Sequence, residues 1–178
     1  MKKLLTILAL LFVVSFPSFT PANKGPKVDT NAKIKAVFIY NFTKYIEWPA
    51  DYQEGDFTIA ILGDNESLYK ELSNMSKVKK VANRPFTIKA ISNPSEIGKS
   101  HIVYIPEDNS SLVAKALSTV KGKSTLIVTE STGYAKKGAT INFMIAGGRQ
   151  KFELNKSTAQ QQNLKVSSTL ESIAVLVN

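Results

Sequence analysis

The chain has no cysteine, one histidine, one tryptophan and, among 23 basic residues, only two arginines. Without cysteine there is no disulfide framework, no thiol nucleophile, no thiolate zinc or iron–sulfur site, and no attachment point for a bacterial lipoprotein anchor. Stability must come from ordinary core burial. A single histidine, His101, leaves little for metal ligation, and it opens the apolar run Ile102-Val103-Tyr104-Ile105, where a structural role at the start of a strand is the simpler reading. A Ser–His–Asp triad would have to use it, but no Gly-x-Ser-x-Gly elbow presents a nucleophile. The chain also lacks a Gly-x-x-x-x-Gly-Lys-[Ser/Thr] loop and a dinucleotide fingerprint, and Glu107-Asp108 lacks the spaced oxygens of a calcium loop. No catalytic residue, cofactor or metal is expected. The net charge of +9 is carried almost wholly by dispersed lysines rather than by clustered arginines interleaved with aromatics, which argues for a solvated basic surface and against nucleic acid as a partner.

What is present begins with the leader. Met1-Lys2-Lys3 precedes the apolar run Leu4 to Val14, and Phe16, Pro17, Ser18 and Pro21 follow, with a small-residue cleavage site at Thr20-Pro21-Ala22. The run is shorter than the roughly 20 residues of a membrane-spanning helix, so residues 1–22 read as a secretory signal peptide. The expected location is the periplasm, which removes ATP and NAD as partners. Residues 23–31, polar and carrying Gly25 and Pro26, read as a flexible arm, and residues 32–178 as one domain.

Within that domain Ile34, Val37, Phe38, Phe42, Tyr45 and Ile46 recur at helical spacing until Trp48-Pro49 stops them. Short apolar runs at 57–62, 86–91, 101–105 and 125–129 alternate with helical segments at 65–73 and 109–120 and a short helix or turn at 93–97. This is the alternation of a parallel sheet covered on both faces. Residues 140–146 and 151–154 flank Gly147-Gly148-Arg149-Gln150 and read as an antiparallel hairpin, followed by helices over 157–162 and 168–177. The fold class is α/β: a three-layer domain with a mostly parallel, mixed sheet flanked by helices and one C-terminal antiparallel hairpin.

Candidate site residues follow from position. Gly63-Asp64-Asn65 closes a strand and opens a helix, at the edge where open α/β sheets bind ligands, although a tight turn with a helix cap accounts for the same residues. Arg84 and Arg149 each stand in a loop beside a strand, placed either to hold a carboxylate or phosphate bidentately or to pair with Glu153 or Asp64. A ligand site near the carboxyl ends of the strands would include Asp64, Arg84 and Asn142. An envelope hydrolase with Asp64 or Glu153 as general base is the weakest of the alternatives. Trp48, Tyr40 and Tyr45 offer flat surfaces, but their helix must bury most of its apolar face.

The run Lys35 to Pro49, KAVFIYNFTKYIEWP, resembles the opening signature of the YfiR-like exported proteins. Further matches follow in order: Ile61-Leu62-Gly63-Asp64, Asn83-Arg84-Pro85, His101 to Ile105, Gly133-Tyr134-Ala135, Ile141-Asn142-Phe143, Arg149 to Asn155 and Leu164 to Ser168. The resemblance implies a periplasmic regulator that represses or tunes an inner-membrane signalling protein, a diguanylate cyclase or sensor kinase, by binding its periplasmic domain. It also implies a homodimer, a possible outer-membrane lipoprotein as second partner, and an effect on cyclic di-GMP and biofilm. The best-known member carries paired cysteines; their absence here removes redox control by that route. The alternative is a periplasmic small-molecule binding protein. Asp64, Arg84, Asn142, Arg149 and Glu153 are the candidate ligand or partner contacts.

Overall fold

The structure is a computed structural model and describes residues 29–177, so the leader and most of the arm lie outside the described residues. The first helix, α1 (Thr30–Tyr45), starts where the Asp29 carboxylate accepts the backbone N–H groups of Asn31 and Ala32, each at 3.1 Å. Ala32, Ala36, Ile39 and Phe42 form its buried stripe. Its chain leaves into an extended pair of residues, β1 (Ile46–Glu47), and the buried Trp48.

A seven-stranded sheet follows, built from β2 (Phe57–Leu62), β3 (Phe86–Ile91), β4 (Ile102–Ile105), β5 (Leu126–Thr129), β6 (Ile141–Ala146), β7 (Arg149–Asn155) and β9 (Val175–Val177), in the order β3-β2-β4-β5-β6-β7-β9. The first five are mutually parallel, β7 is antiparallel to β6, and β9 runs parallel to β7. β2, β4 and β5 are buried along their whole length, which explains their continuous apolar sequences. The β6–β7 hairpin turns on Gly147 and Gly148 alone, both with positive φ (60° and 68°), as a two-residue turn of matching twist requires.

Helix α2 (Glu66–Ser76) crosses from β2 to β3 on the α1 face, whereas α3 (Val113–Thr119) crosses from β4 to β5 on the other. On the α1 face, Phe42 meets Phe143 and Phe152 at ring separations of 6.0 and 5.2 Å, and Phe38 meets the same two rings at 5.9 and 5.8 Å. Helices α4 (Lys156–Gln161) and α5 (Ser168–Ile173) complete that face, with Ala159 and Leu170 in the core. A second, two-stranded antiparallel sheet joins β1 to β8 (Lys165–Val166).

Three elements differ from the sequence reading. The helix expected over 109–120 is a 3₁₀ segment at Glu107–Leu112 followed by the short α3, with Asn109 non-helical at its centre. The helix expected over 168–177 ends at Ile173, and Val175–Val177 turns instead into the edge strand β9. The β1–β8 pair has no counterpart in the sequence pattern.

His101 is structural. It is buried, its Nδ1 accepts the backbone N–H of Thr58 at 3.0 Å, its Nε2 lies 2.7 Å from the Tyr52 carbonyl, and its ring stacks on Phe57 at 4.2 Å. With Nδ1 as acceptor, the proton sits on Nε2 and is donated to Tyr52. Burial pushes the pKa below the ordinary histidine value near 6.5; the carbonyl bond opposes this, and the charges of Arg84 and Lys99 reinforce it. The unfolded chain therefore takes up a proton that the folded chain refuses. The stability due to this neutral ring is present in full above about pH 6.5 and is lost as pH falls from there toward the folded pKa. Thermal denaturation between pH 7.5 and 5 is expected to show this acid-side decline, and His101→Gln is expected to flatten it whatever its own cost in midpoint.

Candidate functional site

In a doubly wound sheet the ligand crevice opens at the carboxyl ends of the two strands between which the winding reverses, here β2 and β4. Gly63 follows β2 with φ +109°, and a Cβ built on it would stand 2.1 Å from Oδ1 of Asn109, which comes from the turn after β4. Only glycine permits this approach, and the Asn109 side chain lies over the backbone at the crevice.

Beside it a single carboxylate draws three elements together. Glu130, directly after β5, pairs through Oε2 with Lys35 of α1, and its Oε1 accepts the backbone N–H of Glu107 at 3.1 Å. Beneath lies Tyr104, fully buried, its hydroxyl beside Glu130 but without a hydrogen bond of ordinary geometry. Burial, and then the Glu130 charge, push this phenol far above the usual tyrosine pKa, so it stays protonated. On the opposite face runs a cross-strand row, Thr129–Asn142–Glu153, in which Thr129 Oγ1 donates to Asn142 Oδ1 at 2.7 Å and Asn142 Nδ2 donates to Glu153 Oε2 at 2.8 Å. Both carboxylates are thus committed as acceptors. Among the described residues no group of three or more His, Asp or Glu side chains is placed to hold a metal ion.

Of the residues singled out by sequence, the structure joins Asn142 to Glu153 and separates the rest. Asp64 is exposed at the carboxyl edge, in the turn before Asn65, whose side chain caps α2 by accepting from Leu68 N–H at 3.0 Å. Arg84 precedes β3 and so lies at the amino edge, a strand length of about 20 Å away. Its guanidinium donates to the carbonyls of Tyr52 and Gly55 at 3.1 and 3.3 Å, clamping the loop that carries Tyr52. Arg149 is not in a loop as the sequence suggested: with a two-residue turn it becomes the first residue of β7, paired with Ala146 and exposed. An ion pair to Glu153 or Asp64, one of the two sequence readings of these arginines, does not form: the ion pairs among the described residues all use lysine, namely Lys35–Glu130, Lys156–Glu171 and Lys165–Glu47. Glu130, Lys35 and Tyr104 escaped the sequence reading, although Glu130 follows a parallel strand just as Asp64 does.

A doubly wound sheet extended by an antiparallel hairpin, with its carboxyl-edge crevice covered by its own side chains, defines a three-layer α/β domain without an evident catalytic constellation among the described residues. Residues 32–175 match the profile of the YfiR/HmsC-like family, and the chain belongs to that family, one of periplasmic regulators in cyclic di-GMP signalling. No curated protein matches it. Among solved structures it is similar to the ABC domain in complex with L-Trp from Streptococcus pneumoniae, at 15% identity and a TM-score of 0.55. It is also similar to a conserved domain protein from Vibrio cholerae O1 biovar El Tor, at 12% identity and a TM-score of 0.54. Each likeness covers 83% of this chain but only 60% of the other, and at these identities it is a likeness of fold.

The Lys35–Glu130 pair is mostly shielded, with side-chain exposures of 19% and 15%, so removing one charge strands the other. Glu130→Gln is expected to lower stability by about 2 kcal/mol, less than for a fully buried pair because some solvent remains. In denaturant titrations Lys35→Met added to it should cost less than the sum of the single changes; strict additivity would show that the pair does not couple.

Proposed function

We propose that this protein is a periplasmic regulator that binds the periplasmic domain of an inner-membrane signalling protein, a diguanylate cyclase or sensor kinase, and represses or tunes it. The observation that carries this is apolar surface on the α1 side of the sheet. Ile34 and Val37 on α1, Ile145 near the hairpin turn, Ile173 at the end of α5 and Leu176 on the edge strand are all exposed, Ile145 to 65%. Ile145 shares its face with Phe143, and Leu176, paired with Leu154, also points to that side. Singly exposed apolar residues are ordinary; five on one side of a small domain mark a surface that gains by being covered.

Regulation from such a surface needs no chemistry. A partner that exists in two states shifts by the difference in affinity of this protein for each, and about 2 kcal/mol of preference changes the ratio roughly thirty-fold. The same surface suits a second copy of the chain, and a homodimer or an outer-membrane lipoprotein competing for it is compatible with the reading. Small-molecule binding is the second reading, and the groove described below favours it.

With a photo-crosslinking residue at Val37 or Ile145, intact cells are expected to yield an adduct with an inner-membrane sensor, whereas the same residue at Val78, exposed on the loop after α2, yields none. Ile145→Asp is expected to abolish the adduct and the regulatory effect while moving the melting midpoint by no more than about 2 °C, as surface changes do. Full regulation by Ile145→Asp would remove the hairpin from the interface.

A further inference from the structure

The amino edge of the sheet, opposite the covered crevice, holds an open trough. Two cavities of about 550 and 690 Å³ adjoin there, sharing Pro49 and Asn163 in their walls, each within the size range of small-ligand sites. Trp48 lines the larger. Its ring packs edge-on against Phe57 at 4.9 Å and is only 4% exposed, yet its indole Nε1 is buried without a hydrogen-bond partner. A buried donor left unpaired is costly, so this N–H favours an acceptor brought against it. The Trp48 carbonyl does not contribute, being held by Gln53 Nε2 at 2.9 Å.

The charge in the walls has a sign. Glu47 and Lys165 pair with each other at 3.1 Å. Lys99 bonds the backbone carbonyl of Asp51 and stands 5.2 Å over the Tyr52 ring, whereas the Lys123 ammonium makes no ion pair or hydrogen bond with any described residue, its backbone N–H alone being bonded, to the Val120 carbonyl. The smaller cavity is thus lined by two lysines against one acidic residue, Asp51. The walls also carry amides, Gln160 in the larger cavity and Asn163 in both, which both donate and accept.

We infer that this trough is a binding site for a short peptide with a free carboxylate, its acid group at Lys99 and Lys123, its amides on Gln160 and Asn163, and one carbonyl accepting from the Trp48 indole. The assignment goes beyond the regulator reading, does not depend on it, and lies at the edge opposite the one where the strand pattern alone places a ligand.

Trp48 is the only tryptophan in the chain, so both its emission and its single indole N–H resonance report on the trough. The mature protein is titrated with N-acetyl-trialanine as free acid and as C-terminal amide. The acid is expected to change the emission saturably and move the indole proton downfield, and the amide to bind at least about tenfold more weakly, the ratio set by about 1.4 kcal/mol. Lys123→Gln, a half-buried position outside the core, should erase the preference for the acid. Three results each overturn the assignment: no emission change up to about 10 mM acid, equal binding of acid and amide, or a Lys123→Gln variant that retains the preference. An indole proton that stays in place while emission changes removes the Trp48 contact and overturns it likewise. None of these outcomes bears on the crosslinking at Val37 and Ile145, so the two readings fail separately.

Discussion

The contact of Phe38 and Phe42 with Phe143 and Phe152 determines where everything else stands. The hairpin of β6 and β7 extends a parallel sheet by antiparallel pairing, and no crossover helix returns between its strands to cover it. A sheet face of this kind must be covered by something from elsewhere in the chain. Helix α1 supplies the cover. Two large aromatic pairs, each worth several kcal/mol on truncation, fix the helix along its axis as well as across the sheet. With Phe38 held over Phe143, Lys35 one turn earlier meets Glu130 just after β5. At the other end Tyr45 accepts the backbone N–H of Ser167, and the chain enters the β1–β8 pair that walls the trough.

The usual division of labour in a doubly wound sheet is thereby reversed. Its carboxyl edge is where backbone dipoles and loop ends ordinarily receive a ligand. Here Asn109 stands over Gly63, Glu130 is used on both oxygens, and Asn142 and Glu153 satisfy one another. The groups that sequence reasoning would assign to binding are spent on holding loops and strands together. The amino edge is ordinarily plain. Here the segment between β1 and β2, steadied by Arg84 on the carbonyls of Tyr52 and Gly55 and by His101 on Tyr52, stands away from the α4–β8 connection and leaves the trough between them.

Much of this was legible because burial writes itself plainly into strands that are covered on both faces. The runs at 57–62, 102–105 and 126–129 have no polar alternation, and their sequences bound them to within a residue. The failures have particular causes. Leu170, Ile173, Ala174 and Val177 fit a helix by spacing, but Val175–Val177 gains a ladder with β7, and tertiary pairing overrides the period. Asn109 breaks its helix because its side chain is needed over Gly63, a contact between residues 46 positions apart that no local pattern encodes. Two-residue strands such as β1 and β8 have no periodicity to read. The separation of Arg84 from Asp64, by contrast, was recoverable: in a parallel sheet a residue ahead of its strand lies at the amino edge and one behind it at the carboxyl edge, so the two could not share a site.

The trough and the part of the apolar surface on α1, Ile34 and Val37, lie at opposite ends of one rigid element. The 16 residues of α1 span about 24 Å, with Ile34 and Val37 in the first half and Trp48 three residues beyond the last turn. Because Phe42 is locked between two phenylalanines, the helix cannot slide gradually; a displacement must repack that cluster from one arrangement to another. This is the kind of element through which a ligand against Trp48 would act on a partner at Val37. Proximity along a helix is not coupling, however. A peptide in the trough alters partner affinity only by the factor with which it distinguishes two placements of α1, and by reciprocity the partner alters peptide affinity by the same factor. If α1 has one placement, the two sites are independent however tightly each is filled.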